Sequence, residues 1–117
     1  MKIISWNTKG LGSRKKRSVV KDFLRLENLD VVMFQETKRE ECDRRFVGSV
    51  WSVRDKEWAA LLACGASGGI LIIWDSKKLC SEEVVIGSFS VSVKFVLDGW
   101  MWTPMVVLSL WPKQFLT

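Results

Sequence analysis

The 117 residues contain no histidine and no tyrosine, only two prolines and only three cysteines. Without histidine, no side chain titrates near neutral pH at its ordinary pKa, and the commonest metal-binding imidazole is missing. Cys42, Cys64 and Cys80 form no C-x-x-C pair. Neither spacing nor ligand type favours zinc, and reduced, partly buried thiols are expected. No apolar run reaches the ~18 residues of a membrane span. The opening Met1-Lys2-Ile3-Ile4-Ser5-Trp6 is too short for the apolar core of a secretory signal. An intracellular protein, nuclear or cytosolic, is expected.

What the chain does have is apolar mass and positive charge. Hydrophobic residues make up 48%, with seven tryptophans, enough for a single domain over residues 1–117 with a real core. The net charge is +5, and all of it lies in residues 1–50, which carry 12 Lys/Arg against 7 Asp/Glu; residues 51–117 carry six of each. That asymmetry points to a phosphate-bearing partner near the N-terminal half, although a solvated basic surface gives the same balance.

Asp30-Val31-Val32-Met33-Phe34-Gln35-Glu36 organises the chain. The β-branched and aromatic run Val31–Gln35 predicts a strand buried on both faces of a parallel sheet. Glu36 then stands at the carboxyl end of a strand, where open sheets place their ligands. Lys2–Trp6 reads as an earlier strand that closes on Asn7-Thr8-Lys9-Gly10-Leu11-Gly12. Ser13 is the expected N-cap of a helix over about Arg14–Glu27, with Val19, Val20, Phe23, Leu24 and Leu26 as its apolar stripe. Residues 2–36 thus form a β-loop-α-β unit with adjacent parallel strands.

That unit brings Asn7 and Glu36 to one sheet edge, with backbones about 5 Å apart. A carboxamide oxygen and a carboxylate together suit Mg²⁺, which takes one or two carboxylates plus waters and phosphate oxygens. The alternative is an Asn7 that merely turns the chain and a Glu36 that is a solvated strand end. The cations Arg14, Lys15, Lys16 and Arg17 occupy the first helical turn, where the macrodipole disfavours them and a nucleic-acid phosphate would offset the cost. The alternatives are a solvated charge run or a nuclear-localisation signal.

Further along, residues 38–48 read as a short exposed helix or loop and Ser49–Val53 as a third strand, while Ala59–Ala63 is too uniform to assign. Gly65-Ala66-Ser67-Gly68-Gly69 leads into an apolar strand, Ile70–Trp74. The loop lacks G-x-G-x-x-G spacing and opens a strand, so it is not a dinucleotide fingerprint; its glycines let the backbone pass close to a neighbour. Phe89–Leu97 alternates as a half-buried antiparallel strand does, and Asp98-Gly99 predicts a hairpin turn, with the chain returning from Trp100 or Met101 through Leu110. Pro104 suggests an edge or bulge.

Three stretches in order, Ser5–Gly12, Leu29–Lys38 and Ala66–Asp75, resemble the endonuclease/exonuclease/phosphatase family, most closely the nuclease domain of plant non-LTR retrotransposon polyproteins. The resemblance implies an α/β (α+β) fold, a partial four-layer αββα sandwich truncated after its first half. It also implies hydrolysis of phosphodiesters in DNA with Mg²⁺ or Mn²⁺. Glu36 would be the metal carboxylate, Asn7 would position metal or phosphate, and Lys9, Arg14, Lys15, Lys16 and Arg17 would contact nucleic acid. The family continues into a G-D-x-N motif and an aspartate-histidine pair that this chain does not carry, and Trp111 stands where a tyrosine is common. A catalytically incompetent fragment is therefore expected, with an apolar sheet face left open for self-association or a protein partner. The alternatives are a non-catalytic retroelement remnant that binds nucleic acid, and an unrelated α/β interaction module using exposed tryptophans.

Overall fold

A computed structural model describes residues 2–64, 68–88 and 90–96, and residues 105–110 as backbone strand. The elements run β1 (Ile3–Asn7), α1 (Arg14–Arg25), β2 (Val31–Gln35), α2 (Arg44–Val50), β3 (Lys56–Leu61), β4 (Ile70–Asp75), β5 (Cys80–Ile86), β6 (Val91–Val96) and β7 (Met105–Leu110). Two sheets result, one ordered β1-β2-β4-β3 and the other β5-β6-β7. Among the described residues no helix is long and apolar enough to cross a membrane.

The first sheet is mixed, not parallel throughout. Strands β1 and β2 are parallel neighbours, as the β-loop-α-β reading requires, whereas β4 runs antiparallel to β2 and β3 antiparallel to β4. Continuous apolar sequence in β2 and β4 reflects burial on both faces. Val32, Phe34, Leu71 and Ile73 pack with the helices; Val31, Ile70, Ile72 and Trp74 pack against Val91, Val93 and Phe95 of the second sheet. Trp74 meets Phe95 edge-on at 5.2 Å between centroids, a favoured aromatic geometry. The layers are therefore helix, sheet, sheet.

Sheet-on-sheet packing covers the inter-sheet side of the first sheet. The inter-sheet side of β2 and β4 is dry, and the exposed large hydrophobics among the described residues are Ile3 on edge strand β1, Leu62 after β3, Val84, Val85 and Ile86 on edge strand β5, and Val19, Phe23 and Leu26 on α1. The α1 stripe is thus only half used. Val20 and Leu24 are buried, while Leu26 is 82% exposed, and Phe23 leans edge-on against Trp6 at 5.4 Å.

Four boundaries differ from expectation. Helix α1 stops at Arg25, before Glu27, because the Leu26 and Glu27 N–H groups turn back onto Phe23 O and Leu24 O. The segment read as a third strand, Ser49–Val53, instead begins inside α2. Asp43 caps that helix, its Oδ1 accepting from Phe46 N at 2.8 Å, and Phe46, Val47, Val50 and Trp51 are buried at helical spacing. The unassigned Ala59 region belongs to β3, whose Trp58 and Ala60 face the helices while Ala59 and Leu61 face the second sheet. Strand β6 does pair with β7 as a hairpin, but Val96 lies opposite Met105; a two-residue turn at Asp98-Gly99 would set it opposite Met101. Asp98-Gly99 itself, Pro104, Trp111 and Gly65-Ala66-Ser67 lie outside the described residues.

Candidate metal and nucleic-acid site

At the carboxyl ends of β1 and β2, three chain segments are laced together by backbone hydrogen bonds. Past Gln35 the chain runs between the β1–α1 loop and the lead-in to β4. Gly10 N donates to Glu36 O at 2.7 Å and Leu11 N to Thr37 O at 2.9 Å on one side; Lys38 N donates to Gly68 O at 2.6 Å and Thr37 N to Gly69 O at 3.3 Å on the other. The Thr8 hydroxyl reaches the carbonyls of both Gln35 and Glu36 at 3.1 Å. Thr8 and Thr37 are the two buried polar residues of the described core.

The glycines fit this lacing closely. A Cβ on Gly68 would lie 3.3 Å from Glu36 Cα, and one on Gly69 would lie 2.4 Å from Thr37 Oγ1. The expected close approach of backbone is therefore present, and its neighbour is the Glu36 segment. Three non-glycine residues here, Lys9, Glu36 and Lys38, hold positive φ of 54°, 52° and 53°. Such conformations are uncommon outside glycine and concentrate at functional sites.

Asn7 ends β1 opposite Gln35, and Glu36 follows one residue later on the neighbouring strand. The Asn7 carboxamide oxygen accepts from Lys9 N at 3.1 Å, which is the turn of the alternative reading, yet that oxygen retains a second lone pair. Glu36 is half-buried. Among the described residues no hydrogen bond or ion pair engages its carboxylate, and no group of three or more His, Cys, Asp or Glu is gathered anywhere. One carboxylate and one carboxamide oxygen form a sparse donor set. They fit a hard cation that keeps most of its coordination for water and phosphate, as Mg²⁺ does, and do not fit an all-protein cage.

The basic residues divide into two groups. Lys16 Nζ donates to Thr8 O, and Arg17 donates through one terminal nitrogen to Leu11 O at 2.9 Å and Gly12 O at 2.8 Å. These two cations fasten the β1–α1 loop to its own helix, which explains how they sit in a first turn that carries no acidic residue. Lys9, Arg14 and Lys15 stay exposed and open to an external anion. Residues that sequence reasoning passed over are Thr8, Thr37 and Lys38. Thr8 and Thr37 leave no sequence signal, because either reads as an ordinary loop residue until the third segment is in place.

The described tryptophans are all covered: Trp51 and Trp74 are buried, Trp6 and Trp58 half-buried. An interaction module built on exposed tryptophan finds no support among them. Of the cysteines, all free, Cys42 is half-buried and Cys64 and Cys80 are exposed, more open than expected.

No protein-family model and no curated protein matches the sequence. Solved structures do match. The AP endonuclease LMAP from Leishmania major is similar at a TM-score of 0.68 and 20% identity over 92% of this chain and 38% of that one. The APE2 catalytic domain from Xenopus laevis is similar at 0.64 and 16% identity, over 93% of this chain and 44% of that one. This chain spans less than half the length of either structure. At such identity the likeness is one of fold alone: the mixed α/β arrangement built above matches the fold of these two AP endonucleases.

Proposed function

We propose that this chain is a portion of a phosphodiester-hydrolase domain of the nuclease type, able to hold a divalent cation and a nucleic-acid phosphate at the Asn7–Glu36 edge but unable to turn over substrate by itself. The observation that carries this reading is the strained, three-segment junction at the ends of β1 and β2. Non-glycine residues in left-handed conformation stand there, and Asn7 and Glu36 lie at the ends of its adjacent parallel strands. Glu36 and Asn7 would hold Mg²⁺ or Mn²⁺. When bound, such an ion stabilises charge on the phosphoryl oxygens and leaving group.

The chain's own residues then have limited roles. Glu36 supplies negative charge at a fixed point, because its backbone is tied by Gly10 N and Thr8 Oγ1. Exposed Lys9, Arg14 and Lys15 attract and orient the phosphate backbone of DNA. Hydrolysis also needs a group to take a proton from water. The 117 residues hold no histidine, and the described residues gather no group of three or more His, Cys, Asp or Glu. The origin implied by the motifs, a retroelement nuclease, agrees with such a partial machine.

Two measurements on the purified chain test this. Mn²⁺ titration followed by electron paramagnetic resonance should show a weak site that Glu36→Gln abolishes. Supercoiled plasmid with Mg²⁺ or Mn²⁺ should show no nicking above a Glu36→Ala control, circular dichroism confirming that both proteins are folded. Glu36-dependent nicking would refute the incompetence, and Mn²⁺ binding indifferent to Glu36→Gln would refute the site.

A further inference from the structure

A second basic site lies away from the Asn7–Glu36 edge, between the two helices. Arg14, Arg17, Ser18 and Lys21 follow one another at i, i+3, i+4 and i+7, so they share one face of α1. Across from them stand Arg39, Asp43, Arg45, Phe46 and Ser49, and the cleft between encloses about 510 Å³. This is within the range of small-ligand pockets, but the lining is not theirs. Five cations and a single carboxylate surround the space, with the Phe46 ring as the one large apolar element.

No ion pair among the described residues neutralises these cations. The Asp43 carboxylate is committed to capping α2. Among the described residues the ion pairs are Lys2–Glu27, Lys77–Asp55 and Lys78–Asp30, and none includes a cleft cation. Two guanidinium groups are instead set against one ring: Arg39 lies 4.3 Å and Arg17 5.8 Å from the Phe46 centroid. Stacking of this kind holds arginines in place while leaving terminal N–H groups free for a bidentate acceptor. The field extends beyond the cleft, since neighbouring Lys56 is held below its ordinary pKa by burial and then by the charges of Lys21 and Arg44.

We propose that the α1–α2 cleft is a binding site for a phosphate-bearing anion, with Arg14, Lys21, Arg39 and Arg45 as its ligands and Phe46 as the platform that orients Arg39. The phosphates belong either to a nucleic-acid strand or to a free polyphosphate. The site is independent of Glu36 and stands whether or not the Asn7–Glu36 edge holds a cation.

The test uses the full chain, a fluorescein-labelled 12-nucleotide single strand and inorganic tripolyphosphate, read by anisotropy and by thermal shift. Lys21→Gln/Arg45→Gln removes two cleft cations that make no hydrogen bond among the described residues; Arg25→Gln removes an exposed cation of the same helix outside the cleft. The double variant should bind about tenfold more weakly, with the salt slope for the single strand reduced by about 1.4. Arg25→Gln should change affinity less than about twofold. Tripolyphosphate that binds and displaces the strand assigns the cleft to phosphate from either source. Strand binding alone assigns it to nucleic acid, and tripolyphosphate binding alone to a small ligand. Equal weakening by Arg25→Gln and the double variant would reduce the cleft to diffuse surface charge and overturn the proposal, as would binding of neither probe.

Discussion

Replacing Gly69 with alanine tests the junction that positions Glu36. Gly69 has φ of 89°, and its new Cβ would fall 2.4 Å from Thr37 Oγ1 and 3.3 Å from Ala63 N. Thr37 is 3% exposed and sits in the segment laced on both sides, so it cannot simply turn into solvent. Placing an L-residue in left-handed backbone costs about 1–2 kcal/mol, and forcing a methyl into a packed site about 1–3 kcal/mol more. Gly69→Ala should therefore destabilise the chain by about 2–5 kcal/mol, out of a total near 6–18 kcal/mol for a domain of this size. Urea denaturation followed by tryptophan fluorescence should show a midpoint lower by about 1–2 M. In a Thr37→Ala background the clash is absent and only the backbone cost remains, so the two substitutions should couple by about 1–3 kcal/mol. Gly12, with nothing within 4 Å of its would-be Cβ, is the control, and Gly12→Ala should be neutral or slightly stabilising. A Gly69→Ala midpoint equal to that of the parent, or the same loss in both Thr37 backgrounds, would show that the lacing does not constrain this segment.

Asp30 and Cys42 give two further expectations. Burial pushes the Asp30 carboxyl up, but Lys2 N at 2.7 Å and the Lys78 ammonium at 3.3 Å overcome it and hold the group below its ordinary 3.8. A depressed carboxyl stabilises the fold above its unfolded pKa, and that contribution is lost as pH falls through the folded value. Asp30→Asn should accordingly lower stability at pH 7 and lessen its fall below about pH 4, measured by urea midpoints across the acid range; an unchanged acid limb would refute it. Burial, and then Asp43, push the Cys42 thiol up to about 11 despite Arg39, so iodoacetamide at pH 8 should label exposed Cys64 and Cys80 well before Cys42, as read by peptide mass spectrometry. Equal rates would contradict the burial.

Secondary structure was legible wherever one kind of residue filled one kind of environment. Val31–Gln35 and Ile70–Trp74 are apolar without interruption because both of their faces are covered, and Val91–Phe95 alternates because only one is. Ser13 announced α1 because a cap is a local interaction. Where the rule failed, two environments shared one composition. Ser49–Val53 has the β-branched content of a strand, but Asp43 and the spacing of Phe46, Val47, Val50 and Trp51 make its first half helical, a signal present in the sequence and outweighed by propensity. In Ala59–Leu61, alanine serves both faces of β3 alike and so carries no period. The β6–β7 pairing was legible in the sequence but its register, Val96 opposite Met105, was not, since that is set also by packing of Val91, Val93 and Phe95 against the first sheet.

The sequence by itself determined that Asn7 and Glu36 end adjacent parallel strands, because a β-loop-α-β unit of this length leaves few other ways to bury both strands and the helix. It also determined that excess positive charge belongs to the N-terminal half. Tertiary structure alone decided how that charge is used. Lys16 and Arg17 turn inward to the carbonyls of the β1–α1 loop, while Lys21, Arg39 and Arg45, separated in sequence and unremarkable there, meet Arg14 across one cleft. Only the folded chain could show that Gly68 and Gly69 press on Glu36 and Thr37, because such contacts arise between segments more than thirty residues apart. Local preferences act within a few residues; a site built from three loops exists only once the sheet has set them side by side.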